Sequence, residues 1–162
     1  MSIDDRFYAL AEQVGQAALG KGSMIATAES CTGGLVAATL TAVPGSSAWF
    51  DRGFVTYSNE AKAAMLSVPA DVIARHGAVS EETATAMARG ALEASAAQWS
   101  VAVTGVAGPG GATPGKPVGT VCFAWANSDK VTSLRLQLTG DRAAIREASV
   151  QAALEGLLSR LT

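Results

Sequence analysis

Phe7, Leu10, Ala11, Val14, Ala17 and Ala18 recur at helical spacing and the pattern stops at Gly20 and Gly22, which predicts a helix over 4–19. Residues 24–28 then read as a short buried strand, Ser30-Cys31-Thr32-Gly33-Gly34 as a turn, and 35–40 as a helix stopped by Pro44-Gly45. Residues 49–57 alternate and are rich in aromatic and β-branched side chains, which predicts a second strand. Ser58 is placed to cap a helix over 59–66, and helical turns follow Pro69 over 70–76. Ser80-Glu81-Glu82-Thr83 puts a cap and two acids at the entry of a helix running to about residue 97. A strand over 100–103 leads into a glycine- and proline-rich loop from Gly105 to Gly119. Strands over 118–126 and 131–138 flank Asn127-Ser128-Asp129-Lys130, a hairpin-type connection, and Gly140-Asp141 opens a last helix to about Leu161. Strands alternating with helices and closed by a hairpin predict an α/β domain with a mixed sheet. In such sheets ligands bind beyond the carboxyl ends of the parallel strands, and Ser30 and Thr104-Gly105 both fall at such ends.

Composition narrows the class. The 162 residues suit one domain with a real core, and 49% apolar against 16% charged residues predicts a folded globule. A net charge of −2 argues against a nucleic-acid surface, and no apolar run is long enough to span a bilayer. Met1–Arg6 carries two acids with no apolar stretch behind it, unlike a secretory signal, so a cytoplasmic protein is expected. The two cysteines, Cys31 and Cys122, form no framework of spaced bridges. Self-association is compatible with the apolar content.

A nucleophilic serine needs a tight turn, a base and donors for an oxyanion. The strand-turn-helix pattern at Ser30 supplies the first, and Gly33 and Gly34 let backbone N–H groups at the helix start approach a ligand. The segment lacks the Gly-Lys-Ser/Thr ending of a nucleotide P-loop, and Ala28 stands where a Gly-x-Ser-x-Gly elbow needs glycine. The same pattern also suits Ser30 or Thr32 as a plain helix cap. Cys31 is a rival nucleophile, although a small buried cysteine is the commoner outcome. The single histidine, His76, reads as a helix end stopped by Gly77, which leaves the base to a less usual residue. Lys62 falls at the fourth position of the helix capped by Ser58, where the positive end of the dipole lowers a lysine pKa and a neutral amine can act as a base. Tyr57 could share that site and relay a proton; a solvated surface lysine is the alternative. Arg142, at the start of the last helix, suits a bound anion such as phosphate, or else an ion pair with Asp141. Arg146, one turn on, faces the same side.

Thr27-Ala28-Glu29-Ser30-Cys31-Thr32-Gly33-Gly34, Gly45-Ser46-Ser47-Ala48-Trp49-Phe50 and the block from Gly53-Phe54-Val55-Thr56-Tyr57 to Ala61-Lys62 closely resemble the CinA C-terminal-domain family. So do His76-Gly77-Ala78-Val79-Ser80, Thr104-Gly105-Val106-Ala107-Gly108-Pro109, Lys116-Pro117-Val118-Gly119-Thr120-Val121 and Gly140-Asp141-Arg142. The resemblance covers essentially the whole chain. It implies a three-layer α/β/α sandwich with a mixed sheet, and the nicotinamide-nucleotide amidase activity of single-domain members, which convert nicotinamide mononucleotide and water to nicotinate mononucleotide and ammonia. A non-catalytic nucleotide-binding module of the same fold is the alternative. The implied catalytic set is Ser30 as nucleophile, Lys62 as base and Tyr57 passing the proton to ammonia. Thr32, Gly33, Gly34, Ser47, Thr104, Gly105 and Arg142 are implied substrate contacts, with a small-molecule nucleotide as partner and neither metal nor cofactor.

Overall fold

The computed structural model describes residues 3–162, with side chains from Asp5 onward, so the reading of Met1 and Ser2 lies outside the described residues. In chain order the elements are α1 (Ile3–Arg6), α2 (Tyr8–Gly20), β1 (Ile25–Glu29), α3 (Leu35–Thr41), a 3-10 turn at Ser46–Ala48, β2 (Phe50–Val55), α4 (Asn59–Leu66), α5 (Ala70–His76), α6 (Glu81–Glu93), β3 (Trp99–Gly105), β4 (Thr120–Ala126), β5 (Val131–Gln137) and α7 (Arg142–Leu161). The predicted helix over 4–19 is broken at Phe7, and α6 stops at Glu93 rather than near 97. Past α6 the chain turns toward the sheet, where the Ala96 N–H donates to Asp51 and the Gln98 side chain accepts from the Met24 N–H. β4 begins at Thr120 rather than 118, since the Gly119 N–H donates back to the Val106 carbonyl.

The sheet has the order β2-β1-β3-β4-β5. β1 and β4 are buried at every position, as interior strands must be, while β2 and β5 are partly exposed at the edges. β2, β1 and β3 run parallel; β4 and β5 are antiparallel, joined by a turn in which the Asn127 side chain accepts from the N–H groups of Asp129 and Lys130. The chain steps from β1 to one neighbour, β2, and then crosses back to the other neighbour, β3. Right-handed crossovers in opposite directions put α3 on one face and α4–α6 on the other. The strand order therefore reverses at β1, and the crevice beyond its carboxyl end is the favoured ligand position of such sheets.

The two faces differ in side-chain size. Ile25, Val101, Val103, Val121, Phe123 and Trp125 pack with α2, α3 and α7. The alternate positions Ala26, Ala28, Ala102, Cys122, Ala124 and Ala126 meet α6 and Leu66 of α4. A face of alanines lets α6 approach closely, and a Cβ on its Gly90 would lie 2.0 Å from the Leu66 carbonyl oxygen. The result is a three-layer sandwich with the mixed sheet in the middle, as expected.

Candidate active site

Ser30 follows β1 directly, and its N–H donates to the Val103 carbonyl at 2.9 Å, which prolongs the parallel pairing by one residue. The chain then turns sharply: the Gly33 N–H donates to the Ser30 carbonyl, and Gly33 and Gly34 have φ of 58° and 103°, where a side chain is disfavoured. Two groups hold the turn in place. From α7, Arg146 donates to the carbonyls of Cys31 (3.1 Å) and Thr32 (3.3 Å). From the strand end, the Glu29 carboxylate accepts from the Thr32 hydroxyl at 2.6 Å and from the N–H groups of Val36 (2.9 Å) and Ala37 (3.1 Å).

That arrangement leaves three expected substrate contacts outside the cavity wall. The α3 start is already occupied by a carboxylate of the protein itself, the position expected for an oxyanion or phosphate. Thr32 is fully buried with its hydroxyl committed to Glu29. Gly33 and Gly34 shape the turn but do not line the cavity in front of Ser30. Ser30 itself caps nothing: its Oγ faces Lys62.

Ser58 caps α4 as predicted, accepting from the Ala61 N–H at 3.0 Å, and Lys62 stands one turn in. Its side chain is not solvated but 1% exposed. Nζ lies 3.1 Å from Ser30 Oγ, and it donates to the carbonyls of Thr56 (3.0 Å) and Tyr57 (3.3 Å). Burial pulls its pKa below the ordinary lysine value. Desolvation, rather than the helix dipole, is the leading cause of this shift. A neutral amine has two N–H bonds and one lone pair. With both carbonyls accepting, the lone pair is left to receive the Ser30 proton.

Tyr57 reaches this pair through its main chain. Its phenol is 62% exposed and its hydroxyl accepts from Arg142 at 3.2 Å, so the expected relay from Lys62 to ammonia has no counterpart in these contacts. Arg142 does not pair with Asp141, which instead caps α7 by accepting from the Ala144 N–H; its second contact is the Gly108 carbonyl at 2.7 Å.

A cavity of about 260 Å³ opens in front of Ser30 and Lys62, walled by Thr104, Gly105, Arg142 and Tyr57, and also by Asn59, Ala78, Val79 and the loop residues Val106, Ala107, Gly108, Gly110 and Gly111. Thr104 is held by donating to the Ala78 carbonyl at 2.8 Å. Ser47 lies away from the cavity. It is exposed in the 3-10 turn before β2, at the opposite end of the strand from Tyr57, and six strand residues at ~3.3 Å each put it roughly 20 Å away. Cys31 lines the cavity, but burial pushes its thiol pKa up to about 12, which argues against a thiolate nucleophile. His76 ends α5 before Gly77, 3.8 Å from Glu82, outside the cavity wall.

Sequence reasoning missed Glu29 and Thr56. The available signal for Glu29 was position: an acid at a strand's carboxyl end, immediately before a turn into a helix, can reach that helix's first N–H groups. Among the described residues no group of three or more His, Cys, Asp or Glu side chains gathers as a metal site, and no helix is long and apolar enough to cross a membrane.

In this α/β protein a buried amine thus stands against a serine hydroxyl, at the carboxyl ends of parallel strands and facing an open cavity. The chain belongs to the CinA C-terminal domain family, whose model matches residues 7–161. The nicotinamide-nucleotide amidohydrolase PncC of Pseudomonas putida is 51% identical over 154 residues, 95% of this chain and 96% of that protein. PncC of Escherichia coli K12 is 50% identical over 155 residues, covering 95% and 94%. The crystal structure of the competence/damage inducible protein CihA from Agrobacterium tumefaciens matches with a TM-score of 0.92 at 46% identity, over 94% of both chains.

Proposed function

We propose that this chain, acting as a single cytoplasmic domain, hydrolyses the carboxamide of nicotinamide mononucleotide to nicotinate mononucleotide and ammonia, in the recycling of pyridine nucleotides. The observation that carries the chemistry is the 3.1 Å approach of a buried Lys62 amine to Ser30 Oγ. The substrate is supported by the two PncC amidohydrolases, each about half identical over nearly the full length. Ser30 Oγ attacks the carboxamide carbon while its proton passes to the Lys62 lone pair. Lys62 then gives that proton to the departing nitrogen, the C–N bond breaks, and ammonia leaves an acyl ester on Ser30. Water attacks the ester, Lys62 takes a proton from it, and the proton returns to Ser30 Oγ as the carboxylate product departs. Lys62 serves both transfers, because the Tyr57 phenol is held by Arg142. Thr104 and Gly105 wall the reacting end, and Arg142 at the mouth receives the phosphate.

Ammonia release from nicotinamide mononucleotide by the purified protein tests this. Ser30→Ala and Lys62→Ala variants that keep the parental circular-dichroism spectrum should lose activity on the order of 10⁴-fold or more. Full turnover by Ser30→Ala would remove the nucleophile assignment, and binding of the nucleotide without any turnover by the parent would leave only a binding module. Arg142→Ala should raise KM for the nucleotide roughly 30-fold, about 2 kcal/mol for a hydrogen bond to a charged group. The same variant should leave KM for the phosphate-free nucleoside unchanged. An equal rise for both substrates would rule out phosphate recognition.

A further inference from the structure

Glu29 is 1% exposed and takes no part in the chemistry just described, yet it touches both halves of the reacting pair's support. Its carboxylate accepts from the Thr32 hydroxyl and from the Val36 and Ala37 N–H groups, fastening the turn that begins at Ser30 to the start of α3. Its main-chain carbonyl accepts from the Thr56 N–H at 2.8 Å, and the Thr56 carbonyl in turn accepts from Lys62 Nζ at 3.0 Å. Ser30 adjoins Glu29 in the chain, so Glu29 shares with the Val103 carbonyl and Arg146 the placing of its backbone. Burying a carboxylate in a core costs stability unless every lone pair is used, and capping a seven-residue helix could be done by an exposed serine or asparagine.

We propose that Glu29 is a positioning residue, whose carboxylate holds the Ser30 turn so that Oγ stays within hydrogen-bond reach of Lys62. The inference rests on Ser30 being the nucleophile. A group that sets the nucleophile's position without touching substrate acts on kcat and leaves KM nearly alone. Glu29→Gln keeps the shape but turns an N–H₂ toward one of the three donors, which displaces the turn. The test is steady-state ammonia release from nicotinamide mononucleotide by the full chain. For Glu29→Gln, kcat should fall on the order of 100-fold, the effect of about a 1 Å misplacement, with KM within about threefold of the parent. Thr32→Val removes the shortest contact and leaves both α3 N–H bonds, and should lower kcat about tenfold; Thr32→Ser restores the hydroxyl and should recover the parental value. Parental kcat in Glu29→Gln with only a lower melting temperature would mark Glu29 as a helix cap and overturn the proposal. So would equal kcat values for Thr32→Val and Thr32→Ser, a comparison that remains decisive if Glu29→Gln does not fold. Ser30→Ala, run alongside, keeps the two ideas separate: activity there would remove the nucleophile whatever Glu29 does.

Discussion

In the proposed mechanism the chemistry rests on one amine kept out of water. Folded Lys62 binds a proton less readily than unfolded Lys62, whose pKa is the ordinary 10.5, because burial disfavours the charged form. Two consequences follow with definite signs. The neutral fraction rises with pH, so kcat/KM should climb on a limb assigned to Lys62 and centred below 10.5. Between the folded and unfolded pKa values the unfolded chain binds more protons, so stability rises with pH across that window. The parent's melting temperature should therefore gain on that of Lys62→Met as pH rises toward 10.5; a gap independent of pH would contradict a depressed lysine. Cys31 gives the complementary test. With its thiol near 12, the thiolate at neutral pH is less than about one part in 10⁴, and iodoacetamide should leave turnover unaffected over hours. Rapid inactivation would reopen the thiol mechanism. Lys62 was legible in the sequence as an oddly placed cation, whereas its burial was not. The groups that enclose it, Ser30 and the Thr56 and Tyr57 carbonyls, come from different strand ends, and no local pattern reports that convergence.

Helix and strand identities were largely legible, because they depend on periodicity and caps: Ser58 and Ser80 each accept from the N–H three residues on, as placed, and Asp141, expected only to open the last helix, does the same. Ends were less so, as with Phe7 and the stop at Glu93, because tertiary partners decide where a pattern is interrupted. Ser47 shows another limit. In its sequence block Trp49, 2% exposed, packs against Gly15 of α2, so the block also marks a packing joint that the pattern alone did not reveal. Close packing of elements also yields a prediction. Gly90 lets α6 press on the last turn of α4, and Gly90→Ala would drive a methyl into the Leu66 carbonyl. The variant should lose about 3 kcal/mol by urea denaturation, the upper range for overfilling a packed contact. Its kcat should also fall, since α4 carries Lys62. Unchanged stability would mean that the α4–α6 joint yields easily.

At the scale of the molecule, the sheet divides the labour. The parallel strands β2, β1 and β3 deliver Tyr57, Ser30 and Thr104 to one edge, and the antiparallel pair β4 and β5 extends the core beneath α6 and α7. The α7 layer braces the serine turn through Arg146, while the α4–α6 layer carries the lysine. The hydrogen bond between Lys62 and Ser30 is therefore a seam between the α4–α6 layer and the serine turn that α7 braces. A seam of that kind works as a gauge. Thermal loosening of either layer would open the gap before the strands part, and a few tenths of an ångström suffice to break it. Turnover measured against temperature should peak several degrees below the midpoint of unfolding followed by circular dichroism, with full recovery on cooling; coincident curves would mean that the layers hold until the sheet itself fails.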